Sequence, residues 1–373
     1  MSKAAELANL IGNINAGGGG VNRNVIINGA MNVAQRATSA TGLGSADGYF
    51  VLDRWHSTLG ATSGGRFTLT QDSSAPSGFA NSAKLACTTA DTSVAAGEAL
   101  LFRQKIEGQN VQAFAKGTSD AKPFALSFYV KGNASATYVG ALRDIDNDRY
   151  VGKTFSVTTD WTRVELSFPP DTTGALDDDN ASSLELWIWL HAGSTYTSGT
   201  LSTSWASYSN ANLAVGISSF FDSTDRTFFI TGVQLEVGQN PTEFEHEPFE
   251  RTLAKCYRYT QRLPHFDNTA GSGYAAICTV GRNDSTVQNA SAAMLPVPMR
   301  EDPAIESQSG SFRVHHANTG TALSASIVTD DNIATSGMIH FLATVSSGLT
   351  AGDGGQLQQN NDVDAHLIIE AEL

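Results

Sequence analysis

The chain has 373 residues, 41% of them hydrophobic, which gives room for two or three domains and is too apolar for disorder. Lys and Arg number 23 against 37 Asp and Glu, a formal charge of −14, and this acidic balance excludes nucleic acid, whose phosphates need a basic stripe. Only 16% of residues are charged and 35 are Gly, a balance that suits loop-rich β proteins of extracellular or particle surfaces.

Residues 2–15 are expected to be helical. Ser2 can cap the helix, and Ala4, Leu7, Ile11 and Ile14 follow the 3-4-3 spacing of a coiled-coil seam. A helix of about two heptads is marginal alone, so the seam needs a partner in a bundle, on another protein or on its own domain. Gly17–Gly20 reads as a tether, and residues 1–20 together as an assembly or attachment segment. No basic stretch followed by an apolar one marks a signal peptide near Met1.

Over residues 21–248 the pattern turns to β. In FALSFYVK (124–131), Phe124, Leu126, Phe128 and Val130 share one face, and in WTRVELSF (161–168) the inward positions are Thr162, Val164, Leu166 and Phe168. Asp146, Asn147 and Gly152 supply turn chemistry between Tyr138 and Val157, and Thr227–Val237 is another strand. No helical pattern intervenes, so the expected fold is an antiparallel β-sandwich rather than βαβ units. A short connecting helix is expected over 249–264, with Phe249, Leu253, Cys256 and Tyr257 on one stripe as far as Arg262, and Pro264 ending it. Residues 265–373 return to β as a smaller sandwich domain, with candidate strands Tyr274–Val280, Ser311–His315, Ser324–Val328, Met338–Val345 and His366–Glu372. The fold class is thus mainly β.

Cys87, Cys256 and Cys278 fit neither a disulfide framework nor zinc spacing, and buried free thiols are expected. The apolar run Leu184–Leu190 is far shorter than the ~20 residues of a membrane span, so no membrane insertion is expected.

Within LELWIWLH (184–191), Glu185, Trp187, Trp189 and His191 alternate onto one face of a strand. Flat rings beside hydrogen-bonding groups suit a saccharide, whose C–H faces pack on aromatics. The other reading buries both Trp rings under a long loop or a neighbouring subunit. Trp205, Tyr196 and Tyr208, in the loop Ser194–Asn212, either form that cover or extend the surface. Asp144, Asp146 and Asp148 have the x-spacing of a calcium loop, but Arg149 stands where the turn Gly belongs and Phe155 where the bidentate Glu belongs. This segment and Asp177–Asp179 read as solvated loops. The chain lacks GxSxG, HExxH, Walker and dinucleotide motifs, and His315 and His316 fall on opposite strand faces. No catalytic residue, metal or cofactor is expected.

Three stretches resemble a known family. NVIINGAMNVAQR (24–36) with DRW (53–55) is similar to the opening of bacteriophage tail-fibre and related virion appendage proteins. ITGVQLEVGQNPTEF (230–244) with RTLAKCYR (251–258) resembles the closing strand and exit helix of the same module, and the final AEL (371–373) the end of such fibres. Between them, 124–132 and 161–168 resemble a strand pair of jelly-roll, carbohydrate-binding-module-like domains. The resemblance implies a structural protein of a phage particle, located in the virion. It further implies a homotrimer held by other tail proteins through its N-terminus and attaching to a host-surface glycan or receptor. The other readings are a virion protein that binds only virion proteins and a polysaccharide-degrading tailspike. From the residues alone, Asn28-Gly29 is a tight turn and Asp53-Arg54 beside Trp55 keeps the fold.

Overall fold

The computed structural model describes residues 3, 4, 7, 8, 11, 22–61, 63–264, 273–316, 320, 322–329 and 335–373. Near the start, Lys3, Ala4, Leu7, Ala8 and Ile11 are helical, and Leu7 and Ile11 are exposed. Ile14 of the expected seam lies outside the described residues. The chain divides into two units, one up to Thr252 and one over Leu253–Glu372.

The first unit contains β1 (Ser39–Leu43), β2 (His56–Leu59), β3 (Arg66–Asp72), β4 (Ser82–Thr89), β5 (Ala99–Glu107) and β6 (Phe124–Gly132). It continues with β7 (Ala136–Asp144), β8 (Arg149–Val157), β9 (Thr162–Phe168) and β10 (Ser182–Ala192). A single helical turn, α1 (Ser194–Thr197), precedes β11 (Ala206–Ser207) and β12 (Thr227–Val237). Two six-stranded antiparallel sheets result, in the orders β1-β3-β4-β12-β6-β9 and β11-β8-β7-β10-β5-β2. From β4 to β7 each strand changes sheet, the crossing pattern of a jelly roll.

Period-two alternation builds the core between the sheets. Phe124, Leu126, Phe128 and Val130 from β6 meet Leu184, Leu186, Ile188 and Leu190 from β10, and all eight are fully buried. Trp55 stacks on Phe102 with centroids 4.8 Å apart. The expected hairpin is β7–β8, in register from Ala136↔Val157 to Asp144↔Arg149. Its turn is 145–148, so Gly152 lies inside β8 rather than in the turn.

The stretches at the two ends of the sandwich close it. Asn28 adopts φ 58° in a tight turn and is 3% exposed. Its Nδ2 donates to the carbonyls of Val33 (2.8 Å) and Asp53 (3.1 Å), and its Oδ1 accepts from the amides of Asn32 and Val33. Trp55 Nε1 donates to the Asn28 carbonyl, and Asp53 accepts from the amide and side chain of Gln35. At the far end the Glu245 carboxylate accepts the amides of Asn22, Arg23 and Asn24. These residues hold the fold.

In the second unit the expected helix to Arg262 is shorter. Helix α2 (Phe249–Tyr257) stops, and Thr260–Leu263 becomes β13, paired with β21 (His366–Glu370). Its remaining strands are β14 (Gly281–Asn283), β15 (Gln288–Met294), β16 (Ala304–Ser309), β17 (Phe312–His316), β18 (Ala322–Thr329), β19 (Met338–Val345) and β20 (Gly354–Gln359). Here the expected smaller sandwich gives way to a closed barrel, β14-β15-β19-β18-β17-β20, beside the three-stranded sheet β13-β21-β16. Closure follows because three-residue β14 pairs with both β15 and β20. Of the candidate strand Tyr274–Val280, only a bridge from Ala276 to Gln358 is present. All three cysteines are free and buried, and burial pushes the thiol pKa values of Cys87 and Cys278 upward. Among the described residues no helix is long and apolar enough to cross a membrane.

Candidate functional site

The outer face of β10 does not form an open platform. Trp187 is 8% exposed and Trp189 2%, packed with Leu101, Val139, Tyr150 and Leu213 in a second hydrophobic cluster. The connection from Gly193 onward supplies the cover: Leu213 and Ala214 are fully buried, with Tyr196, Leu201, Tyr208 and Ile217 around them. Tyr208 meets Trp187 edge-on at 6.3 Å and Tyr196 meets Trp189 at 5.3 Å. Of the two readings of these Trp rings, cover by the chain's own loop is the one present, and the saccharide face on Trp187 and Trp189 is corrected accordingly.

Glu185 belongs to this cluster as its buried anion. Its Oε2 accepts from Trp187 Nε1 at 2.5 Å and from Arg103 Nη1 at 3.0 Å. His191 leaves it, because a β-bulge between Trp189 and His191 breaks the alternation. The His191 ring lies 5.2 Å from Phe221, with Nδ1 2.8 Å from Ser219 Oγ and Nε2 3.2 Å from Glu98 Oε2. This Ser–His–Glu order is that of a nucleophile, base and orienting acid. The ring is fully buried, burial lowers its pKa, and its contact with Ser219 ties the following connection to β10. Trp205 is elsewhere, donating from Nε1 to the Pro169 carbonyl and packing 5.5 Å from Phe124.

The Asp144–Asp148 hairpin tip is not simply a solvated loop. Asp144 is fully buried and takes the Lys116 ammonium at 2.5 Å. Lys116 Nζ also reaches Asp171 (3.1 Å) and the carbonyls of Thr173 and Gly174. Where a calcium loop would hold its ion, an ammonium with four oxygen partners sits. Arg149 adds a second cation to Asp171 at 2.7 Å, and this pairing with its hydrogen bonds holds the carboxyl below its usual range against burial, which raises it. Among the described residues no group of three or more His, Cys, Asp or Glu could hold a metal ion.

An aromatic surface lies on the other sheet. Tyr129, on the face of β6 turned away from the core, is half-buried, with Phe79 at 5.3 Å. Phe79 is 5.0 Å from Phe244 and 5.1 Å from His246, which are 5.0 Å from one another. Phe79 and Phe244 are half-buried and His246 is exposed. Gly232 makes the arrangement possible: at φ 61° its missing Cβ would fall 2.7 Å from Phe79 Cζ and 2.9 Å from the Tyr129 ring. Beside the rings lies a small, shallow cleft lined by Phe244, His246, Asn24, Asn32, Glu245 and Glu247. Sequence reasoning missed this surface. The signal was present, since the alternation that puts Phe128 and Val130 inward puts Tyr129 outward.

No family model and no curated protein matches the sequence. Several solved structures are similar to part of it. A family 4 carbohydrate-binding module is 12% identical with TM-score 0.29, covering 56% of this chain and 97% of its own. A family 61 module solved in complex with β-1,4-galactotriose is 9% identical with TM-score 0.31, covering 58% and 99%. A family 11 module of a cellulosomal cellulase of Clostridium thermocellum is 15% identical with TM-score 0.27, covering 56% and 98%.

Proposed function

We propose that the chain is a non-catalytic attachment protein of a phage particle and that its sandwich recognises a host-surface glycan. The observation that carries the glycan reading is the half-exposed ring surface of Phe79, Tyr129, Phe244 and His246 beside a polar cleft. Sugar rings present C–H faces to aromatics and hydroxyls to amides and carboxylates, and this surface offers both. The particle reading is supported by the resemblance of residues 24–36, 53–55, 230–244 and 251–258 to tail-fibre proteins. The helical positions Ala4, Leu7 and Ile11 would join three copies or dock on a tail protein, and weak sugar contacts would add by avidity.

A glycan array probed with the full chain and with the double variant Phe79→Ala/Phe244→Ala tests the site. Retention on at least one glycan, weakened at least tenfold in the double variant, is the expected result. Retention on none, or an unchanged variant, overturns the reading in favour of a protein that binds only other virion proteins. Mass photometry is expected to show a trimer, and a stable monomer at micromolar concentration removes the avidity argument. Reducing ends released from envelope polysaccharide would indicate a tailspike enzyme instead.

A further inference from the structure

The barrel carries a surface that shares nothing with the sandwich patch. Tyr274 is 40% exposed, and the Arg313 guanidinium lies over its ring, 4.1 Å from the centroid. On β17, Val314 points into the barrel and is fully buried, so Arg313 and His315 point outward; on β20, buried Leu357 leaves Gln356 and Gln358 outward in the same way. The ladder sets Arg313 opposite Gln358 on one side and Ser324 on the other, and His315 opposite Gln356.

Hydrogen bonds along this strip run one way. Arg313 Nε and Nη2 donate to Gln358 Oε1 at 3.1 and 2.8 Å. Gln358 Nε2 donates to Gln356 Oε1 at 2.8 Å, and Gln356 Nε2 to the Cys278 carbonyl at 3.3 Å. The relay and the Tyr274 ring fix the plane of the guanidinium while occupying two of its five N–H donors. Among the described residues no carboxylate lies within 4 Å of Arg313. Elsewhere in the barrel Arg282 has Asp284 at 2.6 Å, so the missing counter-ion is particular to this strip. The chain as a whole carries a formal charge of −14, yet among the described residues Arg313 has no carboxylate partner.

A fixed guanidinium with its remaining donors open is suited to bidentate recognition of a carboxylate. Around it are an exposed ring, two amides, an imidazole and a hydroxyl across three strands about 10 Å wide, the partners of a sugar rather than of a bare anion. We propose that the strip Tyr274–Arg313–Gln358–Gln356–His315 binds the carboxylated residue of an acidic saccharide. Arg313 takes the carboxylate, Tyr274 packs against the sugar ring, and Gln356 and His315 meet its hydroxyls. This deepens the saccharide reading, resting on it for the class of ligand and adding a second surface and an acidic chemistry. Recognition of a polyanion by a strongly acidic chain would then be local and charge-assisted.

Calorimetric titration of the full chain with tetragalacturonate, tetraguluronate and sialyllactose, each beside a neutral counterpart of equal length, tests the proposal. At least one acidic saccharide is expected to bind at least tenfold tighter than its counterpart and to weaken as salt rises. Arg313→Gln is expected to lose at least tenfold and Arg313→Lys to recover part of it. An unchanged thermal midpoint for Arg313→Gln establishes that the barrel stays folded. The proposal is overturned if no acidic saccharide exceeds its neutral counterpart, if tetraglutamate binds as tightly, or if Arg313→Gln binds as well as the parent. The Phe79→Ala/Phe244→Ala variant is expected to keep acidic-saccharide binding in full. Failure of the sandwich reading therefore leaves this result standing, and loss of binding in that variant assigns the ligand to the sandwich and overturns the barrel site.

Discussion

Trp187 and Trp189 on β10 and Tyr129 on β6 all leave the core of the sandwich, on opposite sheets. The first two are sealed under the connection 193–226, whose Leu213 and Ala214 are as buried as any core residue. Around Tyr129 the covering chain is the short segment after β12, which contributes Phe244 and His246 and leaves the rings half open. The same two-residue period thus yields a second core on one side and a surface on the other. What separates them is the apolar content and length of the connection that returns over each sheet.

The largest effect expected from this contrast is at Trp189. Trp189→Ala should cost about 3–5 kcal/mol in a urea titration, the usual range for a buried aromatic. A cost below about 1 kcal/mol would mean that the loop is no lid. Next comes the frame beneath the open patch. Asn28→Ala removes four hydrogen bonds, three of them buried, from a residue at φ 58° and should cost about 2–4 kcal/mol in the same titration.

Acidification should weaken the sandwich more modestly. Burial lowers the pKa of His191, while burial first and then Arg103, Lys105 and Arg36 lower that of His56 to about 3. Below pH 6.5 the unfolded chain takes up protons that these folded rings refuse, so stability falls with pH, and for His56 the fall continues to about pH 3. Each ring contributes up to about 1.4 kcal/mol per pH unit. Thermal melts between pH 7 and 5 should show the decline, and His191→Gln should remove its share of the slope. A flat profile would place both rings in contact with water.

The smallest effect is on the open side. Phe244→Ala should cost under about 1 kcal/mol of stability while weakening glycan binding. A loss above 2 kcal/mol would make the patch another piece of core and erase the contrast.

Several strands lie where alternation places them: 124–132, 162–168, 227–237 and 338–345 each bury one face against the core. The hairpin at 145–148 was legible in its turn residues. The bulges were not equally legible: the extra residue between Trp189 and His191 leaves no trace in residue type, whereas Gly232 inside the strand pattern marks the one between Thr231 and Gln234. One bulge moved His191 out of the expected site, and the other holds Gly232, which seats Phe79 against Tyr129. Barrel closure through Gly281–Asn283 depends on a pairing of two residues, Gly281 and Arg282, with a strand some seventy positions away, beyond the reach of local pattern. Helix α2 stops short of Arg262 for a similar reason: Thr260–Leu263 finds a ladder on β21 that no helical periodicity reveals. Arg103, which completes the Glu185 pair, alternates outward with Lys105 in ALLFRQKIE and was legible in principle.

The three thiols have a practical consequence. Cys87, Cys256 and Cys278 are all shut away from solvent, and Cys87 and Cys278 are also biased toward the unreactive protonated form. Copies of the folded chain can therefore crowd together in air-exposed medium without forming covalent cross-links. The native protein also offers a blank background for maleimide chemistry. In Ser324→Cys or Ser77→Cys the new thiol would be the single fast-reacting position, so a fluorophore there could show which of the two ring-bearing surfaces meets a cell.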